Sequence, residues 1–473
     1  MVLDDLTRLT LSDIAARIEH RDVSPVEVTT AVLERIEWVN PRLNAFITVM
    51  HDEALATARA AEAEIARGHY RGPLHGVPIS VKDLFWTRGV RTTAGSRVLA
   101  DFVPDRDATV VRRLREAGAV IVGKTNMLEF AYGEVHPDYG PCLNPWNPDY
   151  GTSGSSSGSG ASVAAGLDYG SIGSDTGGSI RFPAAYCGIV GLKPTYGLVS
   201  RDGAVPLAWS LDHIGPMTRT VRDGAILLQV IADQDTASVA QRPIAAVDYV
   251  SSLDSTPRQV TIGVVQSTDD DQVTPDVRRA TDNAVNALGR IGFRLKPVEL
   301  PYPVQAARAI LALLYAEASA YHAPWLRSRP DDYSDNTRER LELGTLLPAT
   351  LYLRASRVRQ VIVDAYRDLF RDIDILVTPT SPFASYRIDE TPAEPVRQSG
   401  DRMMSLVRFT GPFNATGQPA ITVPAGLTDD GLPISIQLAA RPFAERVLIQ
   451  VAHALEGELV GLLPRPRGNP MLV

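Results

Sequence analysis

Two glycine-rich turns, each carrying serines, constrain this chain of 473 residues more than any other feature. The first is Gly151-Thr-Ser-Gly-Ser155-Ser-Ser-Gly-Ser159 and the second is Ser174-Asp-Thr-Gly-Gly-Ser179-Ile-Arg-Phe-Pro183. Between them, Ala161 to Leu167 has the small-residue pattern of a short packed helix, and Tyr169 to Gly173 reads as a strand. Each turn therefore falls at an element boundary, where backbone N–H groups lack partners and can be aimed at a reacting oxygen. Such a pair of serine turns points to serine hydrolysis.

The blocks around these turns extend the pattern. Downstream come Pro183-Ala-Ala-Tyr-Cys187-Gly-Ile-Val-Gly-Leu-Lys-Pro-Thr195-Tyr-Gly, Ser210-Leu-Asp-His-Ile-Gly-Pro216, Asp374-Ile-Leu-Val-Thr-Pro-Thr380 and Gly431-Leu-Pro-Ile-Ser-Ile-Gln437. Upstream stand Gly76-Val-Pro-Ile-Ser-Val-Lys82-Asp-Leu and Lys124-Thr-Asn-Met-Leu-Glu-Phe130. In this order they resemble the amidase signature hydrolases over nearly the whole chain. The resemblance implies a single α/β/α domain around a mixed sheet. It also implies a triad with Ser179 as nucleophile, Ser155 as a bridging serine on a cis peptide after Gly154, and Lys82 as base. One departure is that two glycines of the family's Gly-Gly-Ser-Ser-Gly-Gly-Ser block are Ser153 and Ser157 here.

The same chemistry follows from the residues. A serine hydroxyl needs a neighbouring base, and a lysine serves only if desolvation keeps it neutral. Lys82 ends the apolar run Val77-Pro-Ile79-Ser-Val81, which reads as a buried strand, so its amine should emerge at a strand end beneath the turns. Only Lys124, Lys193 and Lys296 compete with it. A second serine between amine and nucleophile would relay the proton. The N–H groups of Thr176, Gly177, Gly178 and Ser179 would form an oxyanion hole, with glycines letting backbone approach the substrate. Asp175 and Arg181 read as a structural, charge-assisted pair holding that turn.

Composition bounds the alternatives. With 44% hydrophobic and 22% charged residues the chain has ample apolar material for a packed core. A formal charge of −8 with no basic run argues against nucleic acid or an anionic membrane as partner. Two cysteines, Cys142 and Cys187, fit a reducing compartment and exclude a disulfide scaffold. Met1-Val-Leu-Asp-Asp lacks the pattern of a signal peptide, and no run of about 18 apolar residues occurs. A cytoplasmic enzyme is expected, with neither cofactor nor metal, since the eight histidines show no ligand spacing. A homodimer is compatible with this reading.

Along the chain, residues 1–68 carry helical spacing, with Ser12 and Ser24-Pro25 as start signals and Val28, Val32, Leu33 and Ile36 on one face. This segment should pack on a catalytic core spanning 72–220. There strands at 79–82, 119–122 and 169–173 alternate with helices at 107–117, 158–166 and 179–186, as in a sheet covered on both faces. Residues 233–258 read as a surface loop. Strand 260–265, helix 275–290, helical segments over 304–370 and strands 373–378 and 434–439 complete the pattern.

Several motifs have bland readings that compete with functional ones. Gly118-Ala-Val-Ile-Val-Gly123-Lys-Thr125 satisfies the phosphate-loop spacing, but its apolar interior reads as a buried strand that follows a helix. Gly154-Ser-Ser156-Ser-Gly158 matches a nucleophile elbow, which would make Ser156 the nucleophile with Asp374 and His453 as partners. His453, however, sits in an amphipathic terminal helix. Ser179 could serve as a helix N-cap, a role compatible with catalysis. Lys82 could instead pair with Asp83 at a surface. Cys187 reads as an inert core thiol.

By resemblance the acyl pocket is lined by Met127 to Tyr132, with Phe130 among them, and by Phe409-Thr-Gly-Pro-Phe413-Asn414, with Trp209 nearby. Such walls favour small-molecule amides with aryl or alkyl acyl groups, or anilides. Carbamates and esters share the same tetrahedral chemistry and stay open as substrates. The A component of glutamyl-tRNA amidotransferase is a relative within the family, and its Asn-Met-Asp-Glu-Phe is here Asn126-Met-Leu-Glu-Phe130. This difference favours a stand-alone hydrolase over one component of a transamidation complex.

Overall fold

The apolar runs expected as strands fall in two groups, on either side of the middle of an eleven-stranded mixed sheet. In the computed structural model, residues 6–232, 247–265, 273–388 and 396–459 are described. The strands are β1 (Phe46–Val49), β2 (Pro78–Lys82), β3 (Val120–Thr125), β4 (Gly170–Asp175), β5 (Val190–Lys193) and β6 (His213–Thr218). They continue with β7 (Thr261–Val265), β8 (Arg294–Val298), β9 (Ile375–Pro379), β10 (Ala420–Leu427) and β11 (Pro433–Ala440). Their spatial order is β1-β3-β2-β4-β6-β5-β10-β11-β9-β7-β8.

Pairing is parallel among β3, β2 and β4 and again among β9, β7 and β8, and antiparallel elsewhere. Every residue of β2, β3 and β4 is buried. Parallel strands must be covered on both faces, and here helices do so on each side. The carboxyl ends of β2 and β4 lie side by side, with Ser80 opposite Ser171 and Val81 opposite Ile172. Such ends are where open α/β sheets place their sites.

The expected helices appear as Thr109–Glu116, Ser157–Ala165, Arg181–Cys187 and Pro275–Ile291. The stretch 304–370 divides into Pro303–Ser328, Asp335–Thr345 and Ala349–Leu369. The N-terminal segment is not wholly helical: between Pro25–Leu43 and His51–Ala66 lies β1, which pairs with β3 at the sheet edge. Its four residues are too few for a period to register. Ser24 caps the second helix, accepting from Glu27 N–H while Glu27 returns to Ser24 N–H, with Pro25 at the first turn. Thr10, rather than Ser12, caps the first helix in the same way. Val28, Val32, Leu33 and Ile36 are all buried and share one core cluster with β2 and β3.

Five strands escape the periodic reading. Besides β1, these are β5 with four residues, β6 interrupted by Gly215 and Pro216, β8 at the exposed edge with Pro297, and β10, whose register shifts between Pro424 and Gly426. Residues 233–246 of the expected surface loop lie outside the described residues, and 251–254 form a single 3₁₀ turn. The Gly118–Thr125 segment is strand β3 preceded by a turn, and the His453 helix is Glu445–Leu459. Among the described residues no helix is long and apolar enough to cross a membrane.

Candidate active site

Lys82 is the last residue of β2 and is fully buried. Its Nζ donates to Ser155 Oγ at 2.6 Å, Ser174 Oγ at 2.9 Å and Ser156 Oγ at 3.0 Å. Three neutral hydroxyls thus surround the amine, with no carboxylate in direct contact among the described residues. Burial pushes its pKa down to about 7, against the pull of Asp175 and Asp212, which favour the ammonium. Relative to a free lysine, the site as a whole, those two charges included, thus disfavours the charged form by on the order of 5 kcal/mol. The surface pairing of Lys82 with Asp83 does not occur, because both are buried and Asp83 faces Lys124 instead.

Ser155 follows a cis peptide after Gly154. Ser153 adopts φ 57°, a left-handed conformation that glycine takes freely, so the serine carries the turn at some backbone cost. Ser157 enters the next helix as its first residue. Ser156 is wholly buried and its hydroxyl is committed to Lys82 and to Ser174 C=O. That geometry supports the lysine and leaves Ser156 no route to a substrate. Ser179, like Ser153, is partly exposed, and its C=O accepts from Ser156 N–H at 3.3 Å, which ties the two turns together. No hydrogen bond joins the hydroxyls of Ser155 and Ser179 among the described residues.

Asp175 and Arg181 are buried and paired through both carboxylate oxygens, at 2.9 Å from Nε and 2.8 Å from Nη2. Burial would raise the Asp175 pKa, but the Arg181 guanidinium overrides it and holds the carboxyl below its ordinary range. Arg181 further donates to Thr410 C=O, Gln437 and Asn414, and Asn414 returns to Asp175. The second serine turn is thereby bolted to β11 and to the helix Val396–Ala415.

This network corrects one expectation. Gly178 N–H donates to Asp175 Oδ1 at 2.8 Å, so it holds the turn and does not face a substrate. Its φ of +135° and the Phe182 ring 2.3 Å from where a Cβ would sit both require glycine. A Cβ on Gly177, by contrast, would meet nothing within 4 Å, so that residue lies on the open side. The N–H groups of Thr176, Gly177 and Ser179 have no acceptor among the described residues.

The expected pocket residues separate. Met127, Phe130 and Tyr132 are buried beside the turns; Phe130 packs its ring against His322 at 4.3 Å and Tyr132 against Tyr315 at 5.7 Å. Trp209 is exposed, its C=O taken by Tyr196 and Arg201. Phe413 is a correction: it is fully buried, edge-on to Tyr366 at 5.9 Å, in a core cluster with Ile362, Leu376 and Ala439. It lies about 100° around its helix from Asn414, so it turns away from the network that Asn414 reaches. Leu128, inside the expected Met127 to Tyr132 stretch, is part-exposed and would lie 2.6 Å from a Cβ on Gly154, and its N–H donates to Ser155 C=O. Sequence reasoning missed Ser174 on the lysine and Asp212 on Thr176. Ser174 adjoins Asp175 in the second block, a position that could have flagged it.

A mixed α/β sheet with a buried lysine under paired serine turns defines a serine–lysine class of hydrolase. The profile of the amidase family matches residues 27–449, and the chain belongs to that family of amide hydrolases. It is 42% identical over 457 residues to the protein named as putative amidase AmiD in Mycobacterium tuberculosis, covering 96% of this chain and 94% of that one. It is 38% identical over 478 residues to the A component of glutamyl-tRNA(Gln) amidotransferase from Geobacter metallireducens, covering 96% and 97%. Among solved structures, native peptide amidase from Stenotrophomonas maltophilia superposes with a TM-score of 0.84 at 33% identity, over 98% of this chain and 99% of that one.

Proposed function

We propose that the chain hydrolyses the C–N bond of small-molecule amides through an acyl-enzyme on Ser179. The observation that carries this reading is the buried Lys82 amine, 2.6 Å from Ser155 Oγ and held near neutrality by burial. Neutral Lys82 draws the proton of Ser155, Ser155 draws that of Ser179, and Ser179 Oγ attacks the carbonyl carbon. The developing oxyanion meets the N–H groups of Thr176, Gly177 and Ser179. The ammonium then returns its proton through Ser155 to the leaving nitrogen, and water repeats the sequence on the ester. Carbamates and esters would pass through the same tetrahedral species.

Leu128 supports an apolar acyl group, because its part-exposed side chain lies against Gly154, next to the relay serine. A second reading, the A component of an amidotransferase, is favoured by the relatives of that name. Treating the purified chain with a phosphonyl fluoride and mapping the adduct by peptide mass spectrometry tests the first. Label on Ser179, with turnover of p-nitroacetanilide by the isolated chain, is expected. Label on Ser156 with Ser179 untouched would overturn the assignment, and activity only with added partner proteins would favour the second.

A further inference from the structure

Asp212 lies in the loop that enters β6, and it is buried. Its carboxylate takes four hydrogen bonds: Thr176 Oγ1 donates to Oδ1 at 2.6 Å, Leu207 N–H to Oδ2 at 3.0 Å, and Ala208 N–H to both oxygens at 3.1 Å. A group whose neighbours are all donors is built to be an ionised acceptor. The loop that carries it is fixed in turn. Ser210 N–H and Oγ donate to the buried Glu317 at 2.9 and 2.6 Å, and Arg359 donates to Ser210 C=O at 3.0 Å. A chain of direct hydrogen bonds therefore runs from the helices Pro303–Ser328 and Ala349–Leu369, through the 207–212 loop, to the residue that opens the oxyanion turn.

We propose that Asp212 is a positioning residue for amide hydrolysis, holding the oxyanion turn through Thr176 Oγ1 and presenting a second negative charge to the base. This inference rests on the reading of Lys82 and Ser179 given above. Thr176 is the first residue after β4, and its N–H is one of the free donors of the turn. With its side chain tethered to Asp212, that N–H has one direction. The turn is thus held at both ends, by Asp212 at Thr176 and by Asp175 at Gly178.

The charge has its own consequence. The groups that face Lys82 electrostatically are Asp175, at the end of β4 with Arg181 and Lys193 beside it, and Asp212, which also faces Arg201. Both carboxylates favour the lysine ammonium. Burial raises Asp212 to about 6 against its hydrogen-bond donors, so it is ionised where Lys82, near 7, loses its proton. Removing the Asp212 charge should let Lys82 deprotonate at lower pH, even as the turn loses its tether.

The rate at which a phosphonyl fluoride labels Ser179, followed against pH by intact mass, tests both roles without a known substrate. For the wild type the rate should rise through a limb near pH 7. Thr176→Val should slow labelling by about 10- to 100-fold, a fraction of what loss of a whole oxyanion donor costs, and leave the limb in place. Thr176→Ser, which keeps the hydroxyl, should restore most of the rate. Asp212→Asn should slow labelling and move the limb to lower pH. A Thr176→Val enzyme as fast as wild type, or an Asp212→Asn limb that does not move, overturns the proposal. Should Asp212→Asn not fold, the Thr176 pair decides alone. Absence of label on wild-type Ser179 would instead overturn the nucleophile reading beneath it.

Discussion

Lys82 and Lys124 stand on neighbouring parallel strands, and neither is exposed. In the β2–β3 register Val81 lies opposite Lys124 and Lys82 opposite Thr125, so the two lysines point to opposite faces of the sheet. The face decides their chemistry. Lys82 enters a shell of three serine hydroxyls. Lys124 enters an ion pair with Asp83 at 3.2 Å and donates to Phe85 C=O and Thr92 Oγ1. Burial lowers the pKa of both, but for Lys124 the Asp83 carboxylate opposes it at contact distance. One amine thus faces only hydroxyls, and the other sits against a carboxylate.

The sharpest way to break this contrast is to remove each amine. Lys82→Met should lower kcat/KM on an anilide by several orders of magnitude while the chain stays folded, since it removes the base and leaves only neutral hydroxyls behind. Lys124→Met should instead cost about 3–5 kcal/mol of stability in urea melts, because the Asp83 carboxylate stays buried without its cation. Loss of activity in Lys124→Met with unchanged stability would mean that the two roles have been interchanged. The pH profile gives a finer test. A base must be unprotonated to act, so kcat/KM should rise with pH through about 7.

Phe413 and Leu128 extend the contrast from charge to packing. Phe413→Ala should destabilise by about 3–5 kcal/mol through the cavity left against Tyr366, with KM for bulky and short substrates changing in equal proportion or not at all. Leu128→Asp should have the smallest effect, raising KM for an apolar acyl substrate by roughly tenfold, the value of one buried aliphatic contact. A Phe413→Ala enzyme of native stability that rejects only bulky substrates would return that ring to the pocket wall.

Much of the molecule was legible because local rules and tertiary demands agree. Apolar runs such as Val120–Thr125 are interior strands with every residue buried, and helices with caps, such as Ser24 to Leu43, lie where their signals put them. Short or interrupted strands were not legible. β6 carries Gly215 and Pro216, and it holds its place only because β4 and β5 flank it. Phe413 was misread for a related reason. Aromatic character marks a side chain for burial, but helix phase and the position of Tyr366 decide into which cavity.

The sequence by itself determined the parts that the proposed chemistry uses: two serine turns, a lysine closing an apolar strand, and the Asp175–Arg181 pair, six residues apart, that holds the second turn. These are local in sequence, and strand parity or turn chemistry suffices to aim them. Only the tertiary structure decided that Ser174 and Ser156 complete the lysine's shell and that Asp212 reaches back to Thr176. Those contacts join residues 36 and 92 positions apart, from Asp212 to Thr176 and from Lys82 to Ser174. No local period encodes them, because they exist only once β2, β4 and β6 have been laid side by side and the low dielectric of the closed core makes every unpaired polar group costly.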